Sequence, residues 1–133
     1  MVKKLITFFY LLSVGLAYGQ YTNSNRMMMI TFIEEAPVFE GDLKDFIQTK
    51  IEYPVGAKKD SIEGTVFISF MVDTLGGTHS HKVIRGVRED LNNEAIRVTQ
   101  FIYFNRPAMQ KGKPFEVTMI VPVNFSLRRA EKK

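Results

Sequence analysis

Apolar and polar residues alternate along two stretches of this 133-residue chain, a pattern typical of β-strands that bury one face. Residues 65–73 place apolar side chains at every second position, namely Val66, Ile68, Phe70 and Val72. A longer alternation over residues 115–127 predicts a last strand whose odd-numbered side chains are buried. Residues 78–85 follow the turn sequence TLGG, so we predict that they return as the hairpin partner of the first strand.

Two other stretches space their apolar residues three or four positions apart, as amphipathic helices do. Asp42 is the candidate N-cap of the first helix, which carries Leu43, Phe46, Ile47 and Ile51. Asp90 is the candidate N-cap of the second helix, which is predicted to cover the sheet with Leu91, Ala95, Val98 and Ile102. A short helix is expected over residues 54–60, because proline is tolerated in a first turn, and residues 105–114 are predicted to form a loop.

These elements together predict the α+β fold class. A strand hairpin, a helix and a last strand suit one antiparallel sheet of three to four strands with helices packed on one face. A further strand is predicted over residues 28–33, where it could pair with a sheet edge and shield that edge when no partner is present.

Pro122 interrupts the last predicted strand and indicates where in the sheet this strand lies. Proline has no N–H to donate, so within sheets it occurs on edge strands or at bulges. Because the backbone groups of alternate residues point to opposite sides of a strand, Pro122 fixes which residues face outwards. We therefore expect an edge strand in which Thr118, Ile120 and Asn124 offer N–H and C=O groups to a partner strand.

The first nineteen residues have the three parts of a secretory signal peptide. Lys3 and Lys4 precede an apolar run over residues 5–17, and Ala17 and Gly19 are the small residues before a cut. The run is shorter than the ~20 residues of a membrane-spanning helix, so we predict cleavage after Gly19, with an uncleaved anchor as the alternative. The predicted organisation is then a signal peptide (1–19), a flexible tail (20–27), a domain (28–127) and a basic tail (128–133).

Charge and cysteine content exclude several functional classes. Two of the 18 Lys and Arg residues lie in the predicted signal peptide, which leaves 16 against 14 Asp and Glu residues. A net charge this small does not favour nucleic-acid binding. The sequence contains no cysteine, and this excludes a disulfide framework, a thiol nucleophile and a cysteine metal site.

His79 and His81 are the candidate metal ligands of the sequence. They lie two positions apart on a predicted strand, so both side chains would point to one side and could bind a metal together. Catalytic zinc needs three protein ligands, and this stretch offers no obvious third. A half-buried packing role without any cofactor is therefore the first expectation, and a small metal-dependent hydrolase using both histidines is the alternative.

The order and spacing of several short segments resemble the C-terminal domain of TonB, the energy-transducing protein of bacterial envelopes. The segments are EEAPVFEG at 34–41, YP at 53–54, IEG at 62–64, KVIRG at 82–86, NNEAIRV at 92–98, GKP at 112–114 and VPVNF at 121–125. The resemblance covers residues 32–127. It implies an antiparallel sheet whose last strand lies at an edge and binds a short extended segment of outer-membrane receptors.

The resemblance also implies a function, which we expect to be a non-enzymatic periplasmic module that binds an envelope protein by strand addition. A TonB-dependent outer-membrane receptor is the expected class of partner, and neither nucleic acid nor a small-molecule substrate is expected. The energy transducers of the family carry an uncleaved membrane helix and a long proline-rich spacer, which this sequence does not show. A receptor-segment binder, a competitor of full-length transducers and a component of another envelope assembly stay open, as does a homodimer.

Overall fold

The computed structural model describes residues 34–132. The predicted signal peptide, the flexible tail and the strand predicted over 28–33 lie outside the described residues. Among residues 34–132, no helix is long and apolar enough to cross a membrane.

Two short helices precede the sheet, as the sequence predicts. Helix α1 (Leu43–Lys50) begins after Asp42, whose side chain accepts a hydrogen bond of 2.9 Å from the backbone N–H of Asp45. Helix α2 (Val55–Lys59) begins after Pro54. The connection from α2 to the sheet is fixed by Tyr53, whose hydroxyl donates to the carbonyl of Ile62 and whose ring packs edge-on against Phe125.

Five strands form two antiparallel sheets: β1 (Gly64–Val72), β2 (Thr78–Arg85), β3 (Ala108–Gln110), β4 (Lys113–Phe115) and β5 (Val117–Phe125). The larger sheet has the order β2-β1-β5, and β3 pairs with β4 in the smaller one. Strands β1 and β5 are each nine residues long and pair without a register shift, from Gly64 opposite Phe125 to Val72 opposite Val117. The predicted α+β class, with an antiparallel sheet and the last strand at its edge, is confirmed.

Helix α3 (Glu89–Thr99) packs on β1 and β2. The prediction that Asp90 caps this helix is wrong, because the N-cap position is taken by Arg88, two residues earlier, and the helix begins at Glu89. The carboxylate of Asp90 instead accepts two hydrogen bonds, of 3.0 and 2.8 Å, from the guanidinium of Arg88. Ile102 lies beyond the end of the helix and is nevertheless buried, as predicted.

The loop predicted over residues 105–114 is also a wrong prediction, because β3 and β4 form a hairpin there. The two residues of its turn, Lys111 and Gly112, both have positive φ angles, of 50° and 70°. Such left-handed pairs match the twist of adjacent strands. Strand β5 consequently begins at residue 117 rather than 115, and residues that the sequence assigned to the tail join a short helix α4 (Leu127–Ala130).

The core lies between the larger sheet and the helices. The even-numbered residues of β1 from Val66 to Val72 and the odd-numbered residues of β5 are buried, as the two alternating patterns predict. Phe104, which follows α3, is fully buried and contacts the rings of Phe39 and Phe70. The even-numbered side chains of β5 lie on the opposite face of the sheet, where they are exposed or half-buried.

Candidate functional site

The candidate binding residues all lie on β5, in the alternation that the sequence predicts. The odd-numbered side chains of this strand are between 0% and 6% exposed. Thr118, Pro122 and Asn124 are exposed, and Ile120 is half-buried on the same side. The strand therefore anchors itself in the core through one set of side chains while its other set stays at the surface.

The side of β5 that faces away from β1, called the β5 edge below, pairs with no strand of residues 34–132. Two observations indicate which residues face this edge. Pro122 cannot donate a backbone hydrogen bond at all, and the carbonyl of Asn124 accepts one of 3.0 Å from the side-chain amide of Gln48 in α1. Because the N–H and C=O of one residue point to the same side of a strand, both observations favour outward backbone groups at the even-numbered positions.

The side chains of Thr118 and Asn124 are held against β1. The hydroxyl of Thr118 donates to the sulfur of Met71 at 2.9 Å, and the amide of Asn124 donates to the hydroxyl of Thr65, also at 2.9 Å. Ile120 lies opposite Ser69 in the ladder. These contacts fix the outer strand to its neighbour through side chains, and they leave the main chain of Thr118 and Ile120 for other interactions.

The opposite edge of the sheet, formed by β2, is irregular. The register between β1 and β2 shifts twice, and Ser80 has a positive φ of 56°. Bulges of this kind twist an edge and prevent long strand pairing. The two edges therefore differ: β5 presents a regular nine-residue strand, whereas β2 is interrupted.

The bulge at Ser80 also overturns the prediction that His79 and His81 point to one side. Two residues of β2, Ser80 and His81, lie opposite the single residue Phe70 of β1. The extra residue reverses the alternation, so that His79 lies opposite Met71 while His81 packs on Phe70, with the two ring centroids 5.3 Å apart. Met71 and Phe70 lie on opposite faces of the sheet, and the two histidines are therefore separated by it.

The surroundings of the two histidines give each of them a structural role. The Nε2 atom of His79 forms a hydrogen bond of 2.9 Å with the carboxylate of Glu116, directly before β5. Burial lowers the pKa of His81, whose Nε2 atom is buried without a hydrogen-bond partner in the part of the chain that the structure describes. Over residues 34–132, no three His, Asp or Glu residues lie together in a way that could bind a metal ion.

A buried carboxylate holds helix α1 beside β5. Glu94 of α3 is 9% exposed and accepts a hydrogen bond of 2.7 Å from the N–H of Glu52. The same carboxylate accepts two hydrogen bonds, of 2.7 and 2.8 Å, from Arg97, which also donates to the carbonyl of Lys50 at the end of α1. The spacing of Glu94 and Arg97 could have indicated their pairing, but nothing local indicated that Gln48 reaches β5.

Comparisons with known proteins agree with this architecture. Residues 49–127 match the family model described as the Gram-negative bacterial TonB protein C-terminal. A solution structure of the Helicobacter pylori TonB C-terminal domain is 25% identical, with a TM-score of 0.53 over 65% of this chain and 90% of that one. A longer fragment of the same domain gives 23% identity and a TM-score of 0.49, over 62% of this chain and 75% of that one.

No curated protein sequence matches the chain. The family match nevertheless extends over more than half of the 133 residues, from the end of α1 to the first residue of α4. It includes the whole three-stranded sheet and its regular outer strand. The chain therefore belongs to the family of Gram-negative bacterial TonB C-terminal domains.

Proposed function

We propose that this chain is a non-enzymatic, periplasmic protein-binding module that adds a short extended segment of an outer-membrane receptor, or of another envelope protein, to the β5 edge. TonB C-terminal domains are periplasmic protein-interaction domains, and they interact with outer-membrane receptors in general. The observation that carries this proposal is the regular, nine-residue β5 strand, one side of which pairs with no strand of residues 34–132. An edge of this kind binds extended peptides through main-chain hydrogen bonds.

The outward backbone groups of Thr118, Ile120 and Asn124 would supply these hydrogen bonds. Their side chains lie on the face of the sheet opposite the buried odd-numbered residues. Strand pairing uses main-chain groups and does not need these side chains. The regular register of β5 favours it over β2 as the pairing edge, because a partner strand needs several consecutive residues in one register.

Export by a signal peptide is the second part of the proposal. The family is periplasmic, and the composition of residues 1–19 is that of a cleavable signal. Cleavage after Gly19 would release the mature chain into the compartment where receptor segments are accessible. Three roles stay open for such a module: binding receptor segments, competing with full-length transducers, or joining another envelope assembly.

Replacing Ile120 with proline tests the proposal. The substitution removes one outward N–H and adds a ring at the edge, so binding of synthetic peptides from the periplasmic segments of outer-membrane receptors should weaken at least about tenfold. Ile120→Val keeps the N–H and is the matched control, which should bind like the unmodified chain. Calorimetry measures the affinity, and circular dichroism verifies that both variants are folded.

A second measurement avoids any effect of proline on stability. When peptide is added to the unmodified chain, the amide signals of Thr118, Ile120 and Asn124 should shift in NMR spectra more than those of β2. If the largest shifts fall on β2, or if a folded Ile120→Pro variant binds as tightly as the control, strand addition at the β5 edge is wrong.

A further inference from the structure

Helix α1 lies beside β5 and extends one side chain to its backbone. The helix packs on β5 and α3, and the Glu94 carboxylate fixes its C-terminal end through the N–H of Glu52. Gln48, in the last turn of α1, is half-buried and donates from Nε2 to the carbonyl of Asn124 at 3.0 Å. The donor and the acceptor are 76 residues apart in the chain, so the contact depends on the tertiary fold.

The contact occupies a backbone group that a partner strand would use. The outward carbonyl of an unpaired edge residue accepts a main-chain N–H when another strand adds to the sheet. In the free chain, the amide of Gln48 donates to Asn124 at the distance of an ordinary N–H···O hydrogen bond. The side chain thus takes the place of one partner N–H at this end of the strand.

We propose that Gln48 is a latch that closes the Asn124 end of the β5 edge and is displaced when a partner strand binds along the whole edge. The inference rests on the proposed function, because it concerns the regulation of the same edge. Within residues 34–132, the latch leaves the first part of the edge open: Thr118 and Ile120 keep both outward backbone groups, and Pro122 has only a carbonyl.

The energetic effect of the latch follows from competition. A partner strand gains the hydrogen bond to Asn124 only after the amide of Gln48 has left it, so the latch lowers the apparent affinity. The net effect of one neutral hydrogen bond corresponds to a factor of about two to ten in binding. The latch also makes the edge less available to a second copy of the chain, which is the association that unpaired edges invite.

Two variants of Gln48 separate the hydrogen bond from other properties of the side chain. Gln48→Ala removes the donor, and Gln48→Lys keeps a donor on a long side chain; all three residues are good helix formers, so α1 should persist. With receptor-segment peptides as probes, Gln48→Ala should bind about two- to tenfold more tightly than the unmodified chain. Gln48→Lys should bind within about twofold of the unmodified chain.

The outcomes distinguish the latch from the proposed function. If the peptides bind the unmodified chain and Gln48→Ala equally, or the variant more weakly, the latch is wrong while strand addition stands. If no peptide binds the unmodified chain, the receptor proposal fails, and self-association by analytical ultracentrifugation decides about the latch. Gln48→Ala should then dimerise at a concentration about two- to tenfold lower than the unmodified chain, and equal association overturns the latch.

Discussion

Gly76 shows how much of the fold depends on a single residue. Its φ of +92° lies in the left-handed region, and a Cβ atom would be 1.9 Å from the carbonyl oxygen of Phe104. The N–H of Phe104 donates back to the carbonyl of Gly76 at 2.8 Å, so the β1–β2 turn and the segment after α3 are joined backbone to backbone. Phe104 is fully buried, and it cannot move aside without disturbing the core.

We predict that Gly76→Ala destabilises the domain far more than Gly112→Ala does. Gly112 also has a positive φ, of +70°, but an added Cβ there would meet nothing within 4 Å. Gly112→Ala should therefore lower the free energy of unfolding only by the cost of holding an alanine in the left-handed conformation, about 1–2 kcal/mol. Gly76→Ala has the same conformational cost and adds a steric clash with the carbonyl oxygen of Phe104. Urea unfolding of both variants measures the difference, and equal losses would show that the Phe104 contact is not a constraint.

At the scale of elements, regular alternation and helical spacing were sufficient to predict the parts of the fold with a continuous core face. Strands β1 and β5 and helix α1 follow from such patterns, and Pro122 indicated the edge position of β5. The β3–β4 hairpin was missed because each strand has only three residues and its turn is formed by Lys111 and Gly112. Alternation is not detectable over so short a segment.

The candidate site could be predicted only in part, for a related reason. Pro122 indicates that the backbone groups of the even-numbered residues of β5 face outwards. The bulge at Ser80 is not indicated by the sequence, because serine rarely adopts a positive φ. The extra residue at this bulge places His79 and His81 on opposite faces of the sheet, whereas the sequence predicts them on the same face. The contact of Gln48 with Asn124 likewise joins two distant elements, and its formation depends on how α1 packs.

The contribution of the connector between α1 and β1 to stability can be tested by removing the hydroxyl of Tyr53 and, for comparison, that of Tyr103. The hydroxyl of Tyr53 donates to Ile62 in a half-buried setting, whereas that of Tyr103 donates to the carbonyl of Leu75 at 2.9 Å on a residue that is 57% exposed. We predict that Tyr53→Phe lowers the free energy of unfolding by about 0.5–1.5 kcal/mol, because the carbonyl of Ile62 loses its donor away from water.

Tyr103→Phe is the control for that substitution. Water can replace its exposed hydroxyl at the carbonyl of Leu75, so the loss should stay within about 0.5 kcal/mol. Thermal and urea unfolding monitored by circular dichroism compare the two variants. A larger loss for Tyr103→Phe than for Tyr53→Phe would contradict the structural role assigned to the connector.

At the scale of the whole molecule, the proposed function requires that the domain reaches the periplasm, and we predict that the first nineteen residues direct this export. The apolar run over residues 5–17 has 13 residues and would extend about 20 Å as a helix, whereas the hydrocarbon core of a bilayer is about 30 Å thick. A helix this short suits recognition by the export machinery better than permanent anchoring.

We therefore predict that the protein expressed in a Gram-negative host is recovered mainly from the periplasmic fraction, with Gln20 as its first residue. Ala17 and Gly19 are the small residues of the predicted cleavage site, so Ala17→Leu should block processing and leave the precursor in the membrane fraction. Intact-mass spectrometry of both fractions measures the outcome, and Lys44→Ala, a change at an exposed position of the folded domain, is the control that should be processed normally. Recovery of the unmodified chain from the membrane with Met1 retained would instead establish an anchored protein. Such an anchor would hold the β5 edge at the inner membrane rather than leave it free to diffuse to receptors.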